Sequence, residues 1–435
     1  SLAASSTETW DGDPLCMAVH AATAMGITVV VAGGNFGLTT AGAKTYGAIS
    51  SPGHDPTVIT VGAVNFKGTA ARGDDVVNNF SSRGPTRGMW TDPADNTRWP
   101  DNVLKPDLVA PGNKIIGAMA TNASSTTPTK NYLATNYPTL VSAAGGPTTY
   151  AQGLMQLSGT SIAAPAVTGA AAVLMQANPG LTPPLLKAIL QYTAQPLPGY
   201  NLLEQGAGAI NLEGAARLAL ALRTDISSAI KANTLVHGTT SLLAAGKTMP
   251  TKSSTVAGTA FNWSRIVFVG DSHVASGDKL FTTYQALWDP TVIWASETLV
   301  KGSVAYWSGT GIAANTYPRY YSEDTPTDLP LLSAGIVIAD GLMGTSSMKG
   351  QTGTFTLTPT LAAWLASGSG QTLAKGVTLS QGLVLAEGLV LAEGLVLAEG
   401  LVLAEGLVLS ETTKTISESS NAVTGYKTSG ALYGE

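Results

Sequence analysis

The sequence predicts an α/β fold with a doubly wound parallel sheet, followed by a β-rich repeat region. Three observations predict it. Helical and buried-strand patterns alternate over residues 1–223, as they do in a doubly wound sheet. From Thr259 onward the pattern changes to short strands with period-two alternation and turns rich in Gly, Ser and Asp. Over Gly376–Glu411 six hexads follow one another, and a fixed period indicates a repeat architecture.

The first elements of the α/β region are a helix and a strand. An Asp-Gly-Asp-Pro start and a glycine stop predict a helix over Asp13–Met25. Ile27–Ala32 is a run rich in β-branched residues, of the kind buried in a parallel sheet. Gly33 and Gly34 then let the chain turn and a ligand approach. The Asn35 amide at this strand end could donate a hydrogen bond to an oxyanion or merely satisfy a turn, and the strand alone leaves both interpretations open.

The segment Gln156–Gly169, QLSGTSIAAPAVTG, places a serine at a tight turn that leads into a helix. Pro165 is expected in the first helical turn, and Asn178-Pro179-Gly180 marks the stop. A hydroxyl at a helix N-terminus lies where free N–H groups and the helix dipole favour developing negative charge. Ser161 is therefore the candidate nucleophile.

The motif GTSIAAPAVTG resembles the nucleophile motif of the subtilisin-like serine peptidases. Further segments are similar to that family, in its order, over roughly the first 220 residues. They are GITVVVAGGNFG (26–37), SPGHDPTVITVGAVN (51–65), NNFSSRGPT (78–86), KPDLVAPGNKIIGA (105–118) and LLEQGAGAINLEGAARLAL (202–220).

This resemblance implies a subtilisin-like fold and hydrolysis of peptide bonds through an acyl-enzyme on Ser161. Asn35 and the Ser161 backbone N–H would hold the oxyanion. The polypeptide substrate would lie in a cleft lined by two short segments. These are Ser1, Leu2 and Ala3, and Ala32, Gly33 and Gly34.

A serine nucleophile needs a base, and the base needs an orienting group. The family's aspartate and histidine motifs, D-[ST]-G and HGTH, do not occur before Asn35. The resemblance therefore implies a partner, an N-terminal segment that carries both. Among the four histidines, His20 is interpreted as a partly exposed helix residue and His54 as a turn residue. His237 follows the nucleophile and lacks the second histidine of HGTH, so the chain alone is expected to be inactive.

A second candidate nucleophile lies in RIVFVGDSHVASG (265–277), which resembles the first block of the GDSL-type esterases. Ser272 would be the nucleophile there. That family also needs a downstream Asp-x-x-His, and no histidine follows His273. The alternative interpretation is a strand-end turn that repeats the hexad pattern.

The predicted domains are a partial peptidase domain (1–223), a linker with one short helix (224–258), a β-rich accessory region (259–375), the hexad repeat (376–411) and a tail (412–435). Polar stretches at 88–103 and 120–156 are interpreted as surface insertions. Each hexad reads as a short strand plus a turn, in a β-solenoid or an antiparallel meander. Such a repeat offers a surface for self-association, unless it is a sequence expansion without a fixed role.

The composition narrows the cellular location and the binding partners of the chain. Charged residues make up only 12% of the chain, and this low fraction leads us to expect a secreted or cell-surface location. The chain has one cysteine, Cys16, so no internal disulfide forms. A net charge of −5 provides no basic field for nucleic acid. No run of 18 uncharged apolar residues occurs, so no membrane span is predicted. No cofactor or metal site is identified from the residues, and calcium enters only through the family resemblance.

The sequence thus predicts a secreted serine endopeptidase of the subtilisin type that lacks its acid and base in this chain. A different class competes with it. In that alternative the chain is a catalytically inactive structural or adhesive protein of a cell surface or filament that reuses a peptidase fold.

Overall fold

The structure is a computed structural model that describes residues 1, 3–4, 6, 8–38, 41–42, 44, 47–84, 86, 88–91, 93, 98–100, 103–120, 132–145, 153–197, 200, 202–236, 239–269, 273–291, 335–339 and 353–357. Its helices are α1 Pro14–Ala24, α2 Tyr132–Asn136, α3 Thr139–Ala144, α4 Thr160–Ala177, α5 Pro183–Thr193, α6 Leu202–Gln205, α7 Leu212–Ala219, α8 Ile226–Lys231 and α9 Lys279–Thr282. Its strands are β1 Val30–Ala32, β2 Ile59–Asn65, β3 Val76–Val77, β4 Met89–Thr91, β5 Arg98–Pro100, β6 Leu108–Pro111, β7 Ile115–Ala118, β8 Leu154–Leu157, β9 Ser253–Val256, β10 Thr259–Asn262, β11 Ile266–Val269, β12 His273–Ser276, β13 Gly335–Ala339 and β14 Gly353–Leu357.

A mixed sheet centred on β2 forms the middle of the molecule. β2 pairs in parallel with both β1 and β6, and antiparallel with β3. Its residues from Ile59 to Val64 are all buried, as expected for a strand covered on both faces. The mixed α/β content agrees with the predicted class, and the doubly wound arrangement stays a prediction.

Helix α4 packs on this sheet. Its buried residues recur at helical spacing and are mostly small: Thr160, Ala163, Ala164, Val167, Ala170, Ala171 and Leu174. Small side chains let the helix lie close against β1, β2 and β6. By length and composition this helix could cross a membrane, but its apolar stripe is used against the sheet. The packing brings the start of α4 to the carboxyl end of β1.

The predicted helix over Asp13–Met25 is confirmed as α1. Asp13 is its N-cap and accepts hydrogen bonds from the backbone N–H groups of Leu15 and Cys16. The following strand is shorter than predicted. The run Ile27–Ala32 forms a strand only from Val30 onward, because pairing with β2 begins at Val30 and Ile27 is 53% exposed.

The position of Pro165 also differs from the prediction. The helix begins at Thr160, so Pro165 lies in the second helical turn rather than the first. Because proline has no N–H, the carbonyl of Ser161, four residues earlier, lacks its usual helical partner. The predicted stop is confirmed, since α4 ends at Ala177 with Asn178 as its C-cap.

The hydrophobic core continues past residue 223, where the sequence predicts a domain boundary. Leu185 and Ile189 of α5 belong to the same buried cluster as Trp263, Phe281 and Trp288. Within the predicted linker, α8 is the expected short helix. Leu242 is also fully buried in this core. Described residues on both sides of position 223, among them Ile226, Leu242 and Trp263, therefore share one core.

The β-rich region forms a separate four-stranded sheet in the order β11-β12-β13-β14. β11 and β13 fall on the sequences IVFVGD and GIVIAD, which loosely resemble the hexad, and the fold of the repeat region stays a prediction. The regular hexads of residues 376–411 and Ser272 lie outside the described residues. Within the predicted insertion 88–103, β4 pairs with β5. At the end of the predicted insertion 120–156, β8 pairs with β7, so residues 154–157 belong to a strand pair.

A buried charge cluster ties α5 to the sheet. Asp107 accepts hydrogen bonds from the Thr60 N–H and the Lys105 Nζ at 2.7 and 2.8 Å. Its other oxygen accepts one from Gln191 and lies 3.0 Å from the Lys187 Nζ. Burial lowers the pKa of Lys187 from 10.5 to about 8, although the charge of Asp107 opposes this. Sequence patterns gave no sign of this cluster.

Candidate active site

Ser161 is the second residue of α4 and is half-buried. The first N–H groups of a helix have no partner within it. Here the Thr160 N–H donates to Asn35, and those of Ile162 and Ala163 donate to the Gly159 carbonyl. Among the described residues, no group accepts a hydrogen bond from the Ser161 N–H. This donor is therefore free for a ligand.

Asn35 follows β1 and faces the same helix start. Its Oδ1 accepts hydrogen bonds from the Thr160 N–H at 2.8 Å and the Thr160 hydroxyl at 3.1 Å. A backbone N–H can only donate, so the atom facing it must be the amide oxygen. The Asn35 NH₂ group is thereby turned away from Thr160 and keeps its donors for another acceptor.

Gly159 keeps a gap open between these two donors. A Cβ built on Gly159 would lie 3.4 Å from the Asn35 Nδ2 and 3.7 Å from the Ser161 nitrogen. Because glycine has no side chain, this point is empty. The φ of Gly159 is +148°, which also favours glycine. The Asn35 Oδ1 lies 3.6 Å from the same point, so the gap has the Asn35 amide on one side and the Ser161 N–H on the other.

Of the residues expected to line a cleft, Leu2 lies outside the described residues. Ser1 and Ala3 are exposed, and Ala4 pairs with Ser51 through two backbone hydrogen bonds of 3.1 and 3.0 Å. Ala32 ends β1 and is buried. The substrate-binding role of these residues stays a prediction.

Gly33 and Gly34 use their own backbone groups within the protein. The Gly33 N–H donates to Val61 and its carbonyl accepts from Ser50. The Gly34 N–H donates to the Thr160 hydroxyl and its carbonyl accepts from Ser82. These two glycines can therefore line a cleft through their shape. Their backbone N–H and carbonyl groups are already hydrogen-bonded within the protein, so they are not available to pair with a substrate chain.

The described histidine side chains face other partners than Ser161. The Nδ1 of His20 lies 3.5 Å from the carboxylate of Asp55, and its ring stacks on Trp10. His54 is a buried turn residue whose Nε2 contacts the sulfur of Cys16 at 3.4 Å. His237 lies outside the described residues, and His273 begins β12. No base for Ser161 is found within the described part of the chain.

Calcium does not fit the side chains that the structure brings together. Among the described residues, the one group of three acidic, cysteine or histidine donors is Asp13, Cys16 and His54. Calcium binds six to eight oxygen ligands, whereas this group offers a thiol and an imidazole. No step of the chemistry is therefore derived through calcium.

Two residues of the site were missed by sequence reasoning. The Thr160 hydroxyl connects Gly34 to Asn35, and the Ser82 hydroxyl accepts a hydrogen bond from the Phe36 N–H at 3.0 Å. Thr160 is adjacent to Ser161, so its position was known, but the target of its hydroxyl depends on how α4 packs on β1. Ser82 lies 46 residues from Phe36.

The first half of the chain is similar to known proteins. Residues 1–209 match the model of the family described as the subtilase family. The serine protease AprX of Bacillus subtilis is 35% identical over 202 residues, which cover 46% of this chain and 38% of that protein. The human membrane-bound transcription factor site-1 protease is 31% identical over 193 residues, covering 44% of this chain and 14% of that protein. The chain thus spans well under half the length of these relatives.

A solved structure also resembles the chain. Fervidolysin from Fervidobacterium pennivorans, described as a keratinolytic enzyme related to subtilisin, shares 26% sequence identity with a TM-score of 0.32. The match covers 46% of this chain and 24% of that one.

Proposed function

We propose that the subtilase domain of residues 1–209 carries the nucleophile and the oxyanion donors of a subtilisin-type serine endopeptidase. One observation carries this proposal. The Asn35 NH₂ and the Ser161 N–H flank the same point at Gly159, at the helix start that carries Ser161. Two preorganised donors around a gap next to a nucleophile are what the tetrahedral intermediate of acyl transfer needs. The family match of residues 1–209 supports the same reaction.

In the proposed reaction the Ser161 Oγ forms a bond to the carbonyl carbon of the scissile peptide. The Ser161 proton passes to a histidine base, and the carbonyl oxygen becomes an oxyanion that the Asn35 NH₂ and the Ser161 N–H stabilise. The base returns the proton to the leaving amine as the C–N bond breaks. Water then hydrolyses the acyl-enzyme. Polypeptide is the substrate, and the setting is secreted or at the cell surface.

The base and its aspartate are proposed to come from a partner segment that docks on β1 and α1. In the described structure β1 pairs with β2 along one edge, which leaves its other edge for an added strand. Apolar side chains of α1 and of the segment between α1 and β1 are exposed: Leu15, Met17, Met25 and Ile27 are 39%, 51%, 78% and 53% exposed. An N-terminal segment with the motifs D-[ST]-G and HGTH would cover them.

Active-site labelling tests the proposal. The full chain is treated with a biotinylated fluorophosphonate, alone and together with a separately supplied segment that carries the motifs D-[ST]-G and HGTH; this combination is called the complemented enzyme below. Alone, the chain should label no more than its Ser161→Ala variant, because triad loss costs about 10⁶-fold in the subtilisin series where it was measured. The complemented enzyme should label at Ser161 and hydrolyse peptides.

The second candidate function is the inactive structural or adhesive protein. It is favoured by one observation, that both described histidine side chains are engaged away from Ser161. Absence of labelling in the complemented enzyme would select it. Strong labelling of the chain alone would show instead that a base for Ser161 lies within these 435 residues.

A further inference from the structure

Three side chains with different donor atoms meet at the start of α1, outside the candidate active site. They are Asp13, Cys16 and His54, which are 5%, 0% and 3% exposed. The Cys16 Sγ lies 3.4 Å from the His54 Nε2, and this nitrogen lies 3.9 Å from the Asp13 Oδ2. One donor atom of each lies within 4.8 Å of the other two. The fold assembles this group from a helix start and a turn 38 residues away.

The spacing of these atoms suits a small metal ion. A point equidistant from three atoms at these separations lies about 2.0–2.4 Å from each, and Zn²⁺ binds sulfur at about 2.3 Å and nitrogen or oxygen at about 2.0–2.2 Å. A fourth donor is close, since the Pro52 carbonyl oxygen lies 3.7 Å from the Cys16 Sγ. Four donors complete the tetrahedron of a structural zinc site.

Charge also favours a divalent ion here. One thiolate and one carboxylate neutralise Zn²⁺, so the filled site carries no net charge in a buried place where a net charge would be costly. The N-terminus of α1 favours a thiolate at Cys16.

The carboxylate of Asp13 is held in place by the protein. Its Oδ1 accepts hydrogen bonds from the Leu15 N–H at 2.8 Å, the Cys16 N–H at 3.2 Å and the Ser51 hydroxyl at 2.9 Å. Hydrogen-bonded ligands of this kind are typical of metal sites.

We propose that Asp13, Cys16 and His54 form a structural Zn²⁺ site with the Pro52 carbonyl as the fourth donor. The ion ties the start of α1 to the loop before β2. Ser51 of this loop pairs with Ala4, so the same ion anchors the first residues of the chain. This site does not depend on peptidase activity.

The experiment uses the full chain, refolded with one equivalent of Co²⁺ or Zn²⁺ after removal of metals with a chelator. Cys16 is the one cysteine in the sequence, so a thiolate-to-Co²⁺ charge-transfer band reports on this residue without any substitution. The expected result is this band, together with the visible bands of tetrahedral Co²⁺, saturating at one equivalent. Zn²⁺ should displace the Co²⁺ and raise the melting temperature.

Variants assign the ligands. Cys16→Ser and His54→Gln should each weaken Zn²⁺ binding by more than about 100-fold, because loss of even an outer-shell partner costs about 10–100-fold. His20→Gln is the matched control, one helical turn beyond Cys16, and should bind as the wild type does. Absence of the charge-transfer band would overturn the proposal, and so would binding that survives both ligand substitutions. In those cases the group is a metal-free hydrogen-bonded cluster.

Discussion

Thr160 and Asn35 are joined by two hydrogen bonds, one from the Thr160 N–H at 2.8 Å and one from its hydroxyl at 3.1 Å, both to the Asn35 Oδ1. The same hydroxyl accepts a hydrogen bond from the Gly34 N–H at 3.1 Å. The end of β1 is thereby fastened to the start of α4. The Asn35 side chain cannot rotate without breaking two of these bonds, so its NH₂ group is held towards the gap at Gly159.

Replacing Thr160 by Val should destabilise the fold and loosen Asn35. Valine keeps the volume but removes the hydroxyl, which leaves the buried Gly34 N–H without its acceptor. We expect a loss of about 1–3 kcal/mol in the free energy of unfolding. In the complemented enzyme we expect kcat to fall on the order of tenfold with KM unchanged, less than for complete loss of an oxyanion donor. Denaturant titration and steady-state kinetics measure both.

The matched control is Thr160→Ser, which keeps the hydroxyl. It should retain most of the stability and of kcat. If Thr160→Val and Thr160→Ser behave alike, the hydroxyl does not hold Asn35.

Removing the Asn35 amide should affect the transition state rather than substrate binding. In the complemented enzyme, Asn35→Ala is expected to lower kcat by about 10²–10³, which is the value known for such a donor in subtilisin and not one derived from this geometry. KM should change little. Asn136→Ala, in an exposed asparagine whose amide donates to Tyr132, should leave both constants unchanged. Equal kcat values for Asn35→Ala and the wild type would remove Asn35 from the oxyanion site.

Alanine substitutions at two glycines with positive φ separate the cost of a left-handed backbone from the cost of steric crowding. Gly34 and Gly26 both have positive φ, +109° and +92°. A Cβ at Gly34 would lie 2.6 and 2.7 Å from the hydroxyl oxygens of Ser50 and Ser82, whereas one at Gly26 meets open space. Gly26→Ala should cost about 1–2 kcal/mol from the left-handed backbone alone. Gly34→Ala should cost about 1–3 kcal/mol more from overpacking.

Chemical denaturation of the two alanine variants checks this difference. Equal losses for Gly26→Ala and Gly34→Ala would mean that Ser50 and Ser82 move aside freely. The structure around Gly33 and Gly34 would then be more easily deformed than the contacts indicate.

Stability should rise at alkaline pH because of Lys187. Its pKa is about 8 in the folded protein, because burial outweighs the opposing charge of Asp107, against 10.5 in the unfolded chain. Below pH 8 both states hold the proton and this group adds no pH dependence. Between pH 8 and 10.5 the unfolded state binds more protons, so stability rises with pH, by up to about 1.4 kcal/mol per pH unit.

The difference in unfolding free energy between the wild type and Lys187→Met isolates this contribution from other groups. It should shift in favour of the wild type as the pH rises from 8 to 10.5. Lys247→Met, at an exposed lysine, should show no such shift. A flat difference for Lys187→Met would mean that Lys187 keeps its proton in the folded protein.

Local sequence determined the elements that carry the candidate site. The Asp-Pro start and glycine stop of α1, the stop of α4 at Asn178 and the burial of β2 all depend on residues close in the chain, because caps and strand burial are encoded by neighbours. The order of motifs predicted a subtilase domain, and residues 1–209 match that family. The roles of Ser161 and Asn35 were predicted from the sequence and stay predictions.

Tertiary structure decided the contacts between distant residues. The Thr160–Asn35 bonds join residues 125 apart, and the Cys16–His54 contact joins residues 38 apart. Strand length was also set by pairing, since β1 begins where its neighbour β2 does. Hydrogen-bonding groups and donor atoms are visible in a sequence, but their partners are fixed by strand register and helix packing, which place side chains to within a fraction of an ångström only once the whole core has formed.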